Sequence, residues 1–196
     1  MRRVILILLL ILSMTIISCT RDHIPPTPKT FPLFEPVEED LRYPANTIQI
    51  PGEFAPLRTP YSLDFRHNRN EYAYLVAQMP HGRAQDTDLY PHFHWQTSNN
   101  NLGSVVWAVD YTCASISQDF PAFQTIKVVA NSTGNSNTHL MSPEMTIPAT
   151  ELGISAMCKI RIFRDTEDIR DTYIGEAKLL EFDIHYYAEN LGSNRP

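Results

Sequence analysis

Short runs in which apolar and polar residues alternate fill the chain from about residue 46 onward. A period of two is typical of β-strands that bury one face, because successive side chains on a strand point to opposite sides of the sheet. Segments rich in Pro, Gly and Asn separate these runs. The pattern predicts an all-β domain over residues 46–196, an antiparallel β-sandwich of jelly-roll type with about eight strands. The predicted strands are 47–50, 61–66, 71–78, 89–97, 104–113, 123–130, 157–163 and 177–187.

The strand predicted over residues 89–97 carries an unusual pair of side chains. Phe93 and Trp95 share one face, which we expect to be buried, and His92 and His94 share the other. Residues two apart on a strand are separated by about 7 Å, so these imidazoles could bind one metal ion together. The residues that could complete such a site are His185, Asp183, Glu181 and Asp110.

The His-x-His spacing is similar to the first motif of cupins, in which a Glu follows within a few residues. Here no carboxylate occurs between His94 and Asp110, so the ligand set of that family is incomplete. The alternative is that both histidines belong to a polar face, where they are exposed, hydrogen-bonded or at a subunit contact. We therefore predict no bound metal and no cofactor, and retain His92, His94 and His185 as the candidate ligands if a metal binds.

Familiar catalytic motifs are missing from the sequence. The chain contains no Gly-x-Ser-x-Gly elbow, no phosphate-binding Gly loop, no Cys-x-x-Cys and no His-Glu-x-x-His. Glu181 and Asp183, two apart on one strand face, are the type of carboxylate pair that a glycosidase uses. If their strand neighbours that of Lys159 and Arg161, however, the four residues would form ion pairs across the sheet. We predict that the protein is not an enzyme.

The N-terminal residues have the features of an export signal. Arg2 and Arg3 precede an apolar run of fourteen residues, 4–17, and a bilayer core of about 30 Å needs about 20. The sequence Ile16-Ile17-Ser18-Cys19 looks like a bacterial lipobox, in which the Cys is acylated. We predict a signal peptide over residues 1–18 followed by a lipidated Cys19. A plain signal anchor is the alternative.

Lipidation would fix the location of the protein. Acyl chains on Cys19 would attach it to a membrane, and residues 19–45, rich in Pro, would form a semi-stiff tether. The residue after the Cys is Thr20 and not Asp. By similarity to the sorting of lipoproteins in Gram-negative bacteria, this implies the outer membrane. We predict the bacterial cell envelope, with the virion as the alternative.

The net charge narrows the choice of binding partners. Sixteen Lys and Arg against 22 Asp and Glu give a net charge of −6, so the chain has no excess of positive charge for a phosphate backbone. We predict no nucleic-acid partner.

Cys113 and Cys158 both fall on inward strand faces. In an oxidising compartment they could pair, but we expect two buried free thiols, since nothing in the sequence brings their backbones together.

Five blocks of the sequence resemble a family of uncharacterised bacteriophage and prophage proteins, regarded as β-sandwich virion or tail-associated components. The likeness spans about residues 61–193. It implies a viral or prophage origin, oligomeric assembly with identical copies or other virion or surface proteins, and no known catalysis. The blocks are 79–81, 87–95, 106–112, 163–165 and 180–186.

Three hypotheses for function follow. We expect a non-enzymatic β-sandwich of phage type, a structural or receptor-binding module that a lipid could hold on a membrane, with a loop such as 131–137 recognising a partner. The second hypothesis is a virus- or prophage-encoded surface lipoprotein that acts in exclusion or adhesion. The third is a cupin-like metal-dependent enzyme that uses His92 and His94.

Overall fold

Two antiparallel sheets pack face to face in the computed structural model, which describes residues 36–153 and 155–189. The predicted signal peptide, Cys19 and the first part of the tether lie outside these residues. A short 3-10 turn, Ala149–Glu151, stands in the loop before the ninth strand. The strands are β1 (Val37–Pro44), β2 (Leu57–Arg58), β3 (Leu63–Phe65), β4 (Tyr72–Gln78), β5 (Tyr90–Thr97), β6 (Ser104–Ala114), β7 (Gln124–Asn131), β8 (Leu140–Met141), β9 (Met157–Arg164) and β10 (Ala177–Ala188).

The order of the strands is that of a jelly roll. One sheet contains the order β3-β10-β5-β8, extended by β2 beside β3 and by β1 beside β10, and the other has the order β4-β9-β6-β7. If the strands from β3 to β10 are numbered one to eight, the orders in the two sheets are 1-8-3-6 and 2-7-4-5. This is the pattern of two nested Greek keys. The predicted fold class, an antiparallel β-sandwich of jelly-roll type, is confirmed.

An aromatic cluster fills the space between the sheets. Trp107 stacks on Phe93 with ring centroids 4.6 Å apart, and meets Trp95 and Phe65 edge-on at 6.1 Å and 5.4 Å. All four side chains are completely buried. The inward direction predicted for Phe93 and Trp95 from the alternation is therefore confirmed, and the opposite face of β5 carries its histidines.

The first strand lies where a tether was expected. Val37–Pro44 pairs antiparallel with β10 along its whole length, and Leu41 and Tyr43 pack against the core. The sequence of β1 begins with acidic residues and does not alternate like a strand. It forms a strand because it pairs with the edge of β10 that β3 leaves unpaired. Residues 47–50 form no strand; there, Gln49 makes only a single bridge with Tyr74.

A bulge in β10 changes which of its residues face inward. The register with β5 shifts between Leu179 and Glu181, so that Leu179 is completely buried before the bulge, and Phe182 and Ile184 after it. Strict alternation with Phe182 and Ile184 would place Leu180 on the apolar face, but Leu180 is only half-buried. An extra residue in one strand reverses the alternation locally, and strict alternation in the sequence cannot reveal it.

The expected ion pairs between β9 and β10 do not form. These strands belong to different sheets. Arg161 instead donates hydrogen bonds to Asp110 on β6, the strand beside it. Because strand neighbours are set by the Greek-key connections, residues with complementary charge can lie on opposite layers of the sandwich.

Cys113 and Cys158 form a disulfide, so the expectation of two free thiols was wrong. They are directly opposite one another on β6 and β9, with Cα atoms 4.1 Å apart. A separation of 45 residues in the sequence concealed this pairing, which depends only on the register of the two strands.

Candidate functional site

A cluster of histidines and acids lies on the outer face of the larger sheet. His92 and His94 point away from the core on β5, and β10 places Asp183 opposite His92 and Glu181 opposite His94. On the far side of β10, β1 places Asp40 opposite His185. These side chains line a cleft of about 470 Å³. Three adjacent strands therefore deliver titratable groups to one surface.

Three of these groups converge at short distances. The Nε2 atoms of His92 and His94 lie 3.1 Å apart, and His94 Nε2 lies 3.3 Å from Asp183 Oδ2. The other ring nitrogens point outward, with His94 Nδ1 2.8 Å from His139 Nε2 and His92 Nδ1 3.4 Å from the carbonyl oxygen of Tyr90. His92 and Asp183 are buried, and His94 is partly exposed.

A second group surrounds His185, whose ring centroid is 4.3 Å from that of His92. Its Nδ1 lies 2.7 Å from Glu144 and 3.2 Å from Glu38, and its Nε2 lies 3.1 Å from Asp40. Both ring nitrogens of His185 therefore face carboxylates, which arrange the imidazole on the side of the cleft nearest to β1.

Burial changes the protonation of the cluster. It raises the pKa of Asp183 to about 6, an effect to which the charge of Glu181 adds. Burial also lowers the pKa of His92, with a further contribution from His185, and lowers the pKa of His94, with contributions from neighbouring histidines. Each shift favours the neutral form, because charges lose hydration when they are taken out of water.

Among the residues that the structure describes, two sets of three side chains have donor atoms close enough to share one metal ion. His92, His94 and Asp183 make the first, and His92, Glu144 and His185 make the second; within each set the donor atoms lie within 4.8 Å of one another. All three histidines named from the sequence therefore come together. Nitrogen and carboxylate donors of this kind suit zinc and related divalent ions.

The other two predicted ligands have different roles. Glu181 lines the cleft, but it accepts two hydrogen bonds from Arg42, at 2.8 Å and 2.9 Å. Asp110 is on the other sheet, where it pairs with Arg161. Neither carboxylate is available to the histidines.

Sequence reasoning missed four members of the cluster, Glu38, Asp40, His139 and Glu144. His139 and Glu144 flank the two-residue strand β8, and Asp40 is on β1, which carried no strand pattern. No local signal marks these residues, since they approach β5 and β10 only through the pairing of strands that are far apart in sequence.

A second surface of interest lies at one end of the sandwich, where four loops meet. Thr166 donates its backbone N–H to Asn70, Asn99 donates to the hydroxyl of Tyr173, and Ser136 donates to Asn100, at 2.7–3.1 Å. These bonds connect the β3–β4, β5–β6, β7–β8 and β9–β10 loops. We call this surface the loop end.

A buried arginine fixes the longest of these loops. Arg164 is fully buried and donates hydrogen bonds to both carboxylate oxygens of Asp171, at 2.6 Å and 2.9 Å, and to the carbonyl oxygens of Tyr173 and Gly175. The same loop packs closely on Gly103, where an added Cβ would lie 2.7 Å from the Cα of Tyr173. A buried charge is tolerated when it is paired in this way.

The loop end nevertheless exposes large apolar side chains. Ile169 is 94% exposed and Ile174 is 65% exposed on the β9–β10 loop, and Leu102 is 75% exposed on the β5–β6 loop. Apolar side chains exposed on a loop that the scaffold holds in place are available to contact a partner.

Comparisons with known proteins give a distant structural similarity. No protein-family model and no curated protein matches the chain. Among solved structures, it is similar to a chain in the structure of infectious bursal disease virus, Gx strain, with 14% sequence identity and a TM-score of 0.38. The match covers 82% of this chain and 35% of the viral one, so the chain spans about a third of its length.

No helix within residues 36–153 and 155–189 is long and apolar enough to cross a membrane.

Proposed function

We propose that the protein is a non-enzymatic jelly-roll module that assembles with identical copies of itself through the loop end. The observation that carries this proposal is the exposure of Ile169 and Ile174 on a loop held by the buried Arg164–Asp171 pair. Burying one such side chain against a partner contributes roughly 1.5–3 kcal/mol. The loop is already ordered, so association costs little further conformational entropy.

Self-association is the form of docking that these residues favour. Closed symmetric oligomers of identical chains are the commonest assemblies, and a two-fold interface places the same surface of both copies in contact. The resemblance of five sequence blocks to phage and prophage proteins supports the same role, as a component of a virion or of a surface assembly. Binding to a different virion or surface protein through the loop end would be the alternative.

The test compares oligomer mass in the full-length chain. Light scattering on a sizing column should show an oligomer for the wild type and a smaller species for a variant carrying both Ile169→Ser and Ile174→Ser. The matched control is Ile116→Ser, because Ile116 is equally apolar and 75% exposed in the β6–β7 loop at the opposite end. Equal masses for all three proteins would contradict the proposal.

A location in the bacterial envelope is a second part of the proposal. The lipobox ending at Cys19 supports it, and so does the disulfide between Cys113 and Cys158, a bond that persists in oxidising compartments. Cells grown with labelled palmitate should incorporate the label into the wild type and not into Cys19→Ser. A label-free protein found only in virions would contradict the envelope location.

A further inference from the structure

The trio of His92, His94 and Asp183 has the dimensions of a zinc site, and this holds whether or not the loop end mediates assembly. Two ligands bound about 2.0–2.1 Å from a tetrahedral zinc ion are roughly 3.3 Å from one another. His92 Nε2 and His94 Nε2 are 3.1 Å apart, and His94 Nε2 and Asp183 Oδ2 are 3.3 Å apart. The side chains therefore already stand at ligand spacing.

The partners of the outer ring nitrogens favour the tautomer that binds metal. The Tyr90 carbonyl oxygen can only accept, so His92 Nδ1 carries the hydrogen in that contact, 3.4 Å long. His139 Nε2 lies 2.8 Å from His94 Nδ1 and can accept a hydrogen from it in the same way. With both Nδ1 atoms protonated, each Nε2 presents a lone pair to the other and to the carboxylate. A second residue that orients the ring in this way is the usual companion of a metal-bound histidine.

Asp183 provides an independent indication of a cation-binding site. Its side chain is 7% exposed, and its Oδ1 atom is buried without a hydrogen-bond partner among the described residues. Arg42 lies opposite it in the strand register, but its guanidinium is held by Glu181. A buried carboxylate without a donor is costly, and a bound cation would satisfy it.

The charge around the cleft acts in the same direction. Within the described part of the chain, five carboxylates line the cleft or contact its histidines, against one guanidinium, that of Arg42. Such an excess of negative charge raises the local concentration of cations. The carboxylates are those of Glu38, Asp40, Glu144, Glu181 and Asp183.

We infer that His92 Nε2, His94 Nε2 and the Asp183 carboxylate bind one divalent transition-metal ion of the zinc type, with the remaining coordination position facing the cleft. His139 orients His94 and is a positioning residue. Two imidazoles and one carboxylate favour Zn²⁺, Ni²⁺ or Cu²⁺ over Mg²⁺ and Ca²⁺, which prefer oxygen ligands. The set with Glu144 and His185 is the weaker candidate, because carboxylates already occupy both ring nitrogens of His185.

The test is calorimetric titration of the full-length chain, purified without a polyhistidine tag and stripped with a chelator. ZnCl₂ should bind with a stoichiometry of one ion per chain, and MgCl₂ should show no binding at the same concentrations. Co²⁺ should give the visible absorption of a four-coordinate site. Failure of the wild type to bind Zn²⁺ would overturn the inference and would leave the proposed assembly untouched.

Variants identify which side chains hold the ion. Asp183→Asn and His94→Ala should each weaken Zn²⁺ binding more than about 100-fold, and His139→Ala, which removes an orienting contact, about 10–100-fold. The control His67→Gln, on an exposed loop residue, should leave affinity unchanged. Unchanged affinity in Asp183→Asn, or a greater loss in His185→Gln than in His94→Ala, would overturn the assignment. Asp183→Asn preserves the shape of the side chain and decides the question alone if His94→Ala fails to fold.

Discussion

At the scale of single residues, Asp183 illustrates a conflict between stability and binding. Its neighbours on the sheet leave it with one oxygen near His94 and the other buried without a partner among the residues described. In the metal-free protein this arrangement is unfavourable, and burial raises the pKa of Asp183 to about 6 as a result. Sites that bind ligands are often built from groups that destabilise the fold in this way.

We predict that Asp183→Asn stabilises the metal-free protein. Between about pH 4 and pH 6 the folded chain holds a proton on Asp183 that the unfolded chain has released, so the free energy of unfolding falls as the pH rises through this window. Above it the penalty is complete, on the order of 1–3 kcal/mol. Urea unfolding with a chelator present should show Asp183→Asn more stable than wild type near pH 8 and equal to it near pH 4.

Comparing the variant with the wild type at each pH is necessary, because His92 and His94 contribute the opposite slope. Burial lowers the pKa of both rings, so the unfolded chain binds more protons and their contribution to stability rises with pH up to about 6.5. A stability difference that does not grow with pH would contradict the role assigned to Asp183.

At the scale of elements, the pairing of β6 with β9 does more than complete a sheet. It sets Cys113 against Cys158 and Asp110 against Arg161 in the same register. The disulfide closes a segment that contains β7, β8 and the loop with Glu144. The strand pair therefore restrains the part of the chain that supplies His139 and Glu144 to the cleft.

We predict that replacing both cysteines, Cys113→Ala with Cys158→Ala, lowers the free energy of unfolding by about 2–4 kcal/mol. The bond closes a loop of 45 residues, and its removal gives that loop back its freedom in the unfolded chain. The urea midpoints of the variant and of the reduced wild type should both lie below that of the oxidised wild type, by similar amounts. Midpoints equal to that of the oxidised wild type would show that the disulfide is not formed.

At the scale of the whole molecule, the sandwich has a buried aromatic cluster and two surfaces with different chemistry. The aromatic cluster around Trp107 joins the sheets, the outer face of the larger sheet carries the histidine cluster, and the loop end carries the exposed isoleucines. A jelly roll suits this division, since its rigid layers leave outer faces and loops free to vary. Assembly and metal binding would then use different parts of one fold.

We predict that Trp95→Ala and Trp107→Ala each cost about 3–5 kcal/mol, as truncations of fully buried side chains. Trp107→Phe should cost less, because a ring remains and the buried indole N–H, which has no hydrogen-bond partner among the described residues, is removed. Tyr61→Ala, at an 84% exposed side chain, is the control and should change stability by less than about 0.5 kcal/mol. Urea unfolding measures all four; equal midpoints would contradict the packing.

The sequence alone determined which residues of β5 point inward and which point outward, because alternation is a local property of an extended backbone. It also identified Cys113 on β6 and Cys158 on β9 as buried. It also indicated the sandwich, through the number and spacing of its strands. It did not indicate β1, whose order depends on the edge of β10.

Only the tertiary structure decided which strands are neighbours, and every feature that depends on neighbours followed from it. The disulfide, the Arg161–Asp110 pair and the meeting of His94 with Asp183 and His139 all join residues between 45 and 89 positions apart. No periodicity encodes such contacts, because register is fixed by the packing of whole sheets and by a bulge in β10. The sequence could therefore name three of the histidines, and the fold had to bring them and their carboxylates together.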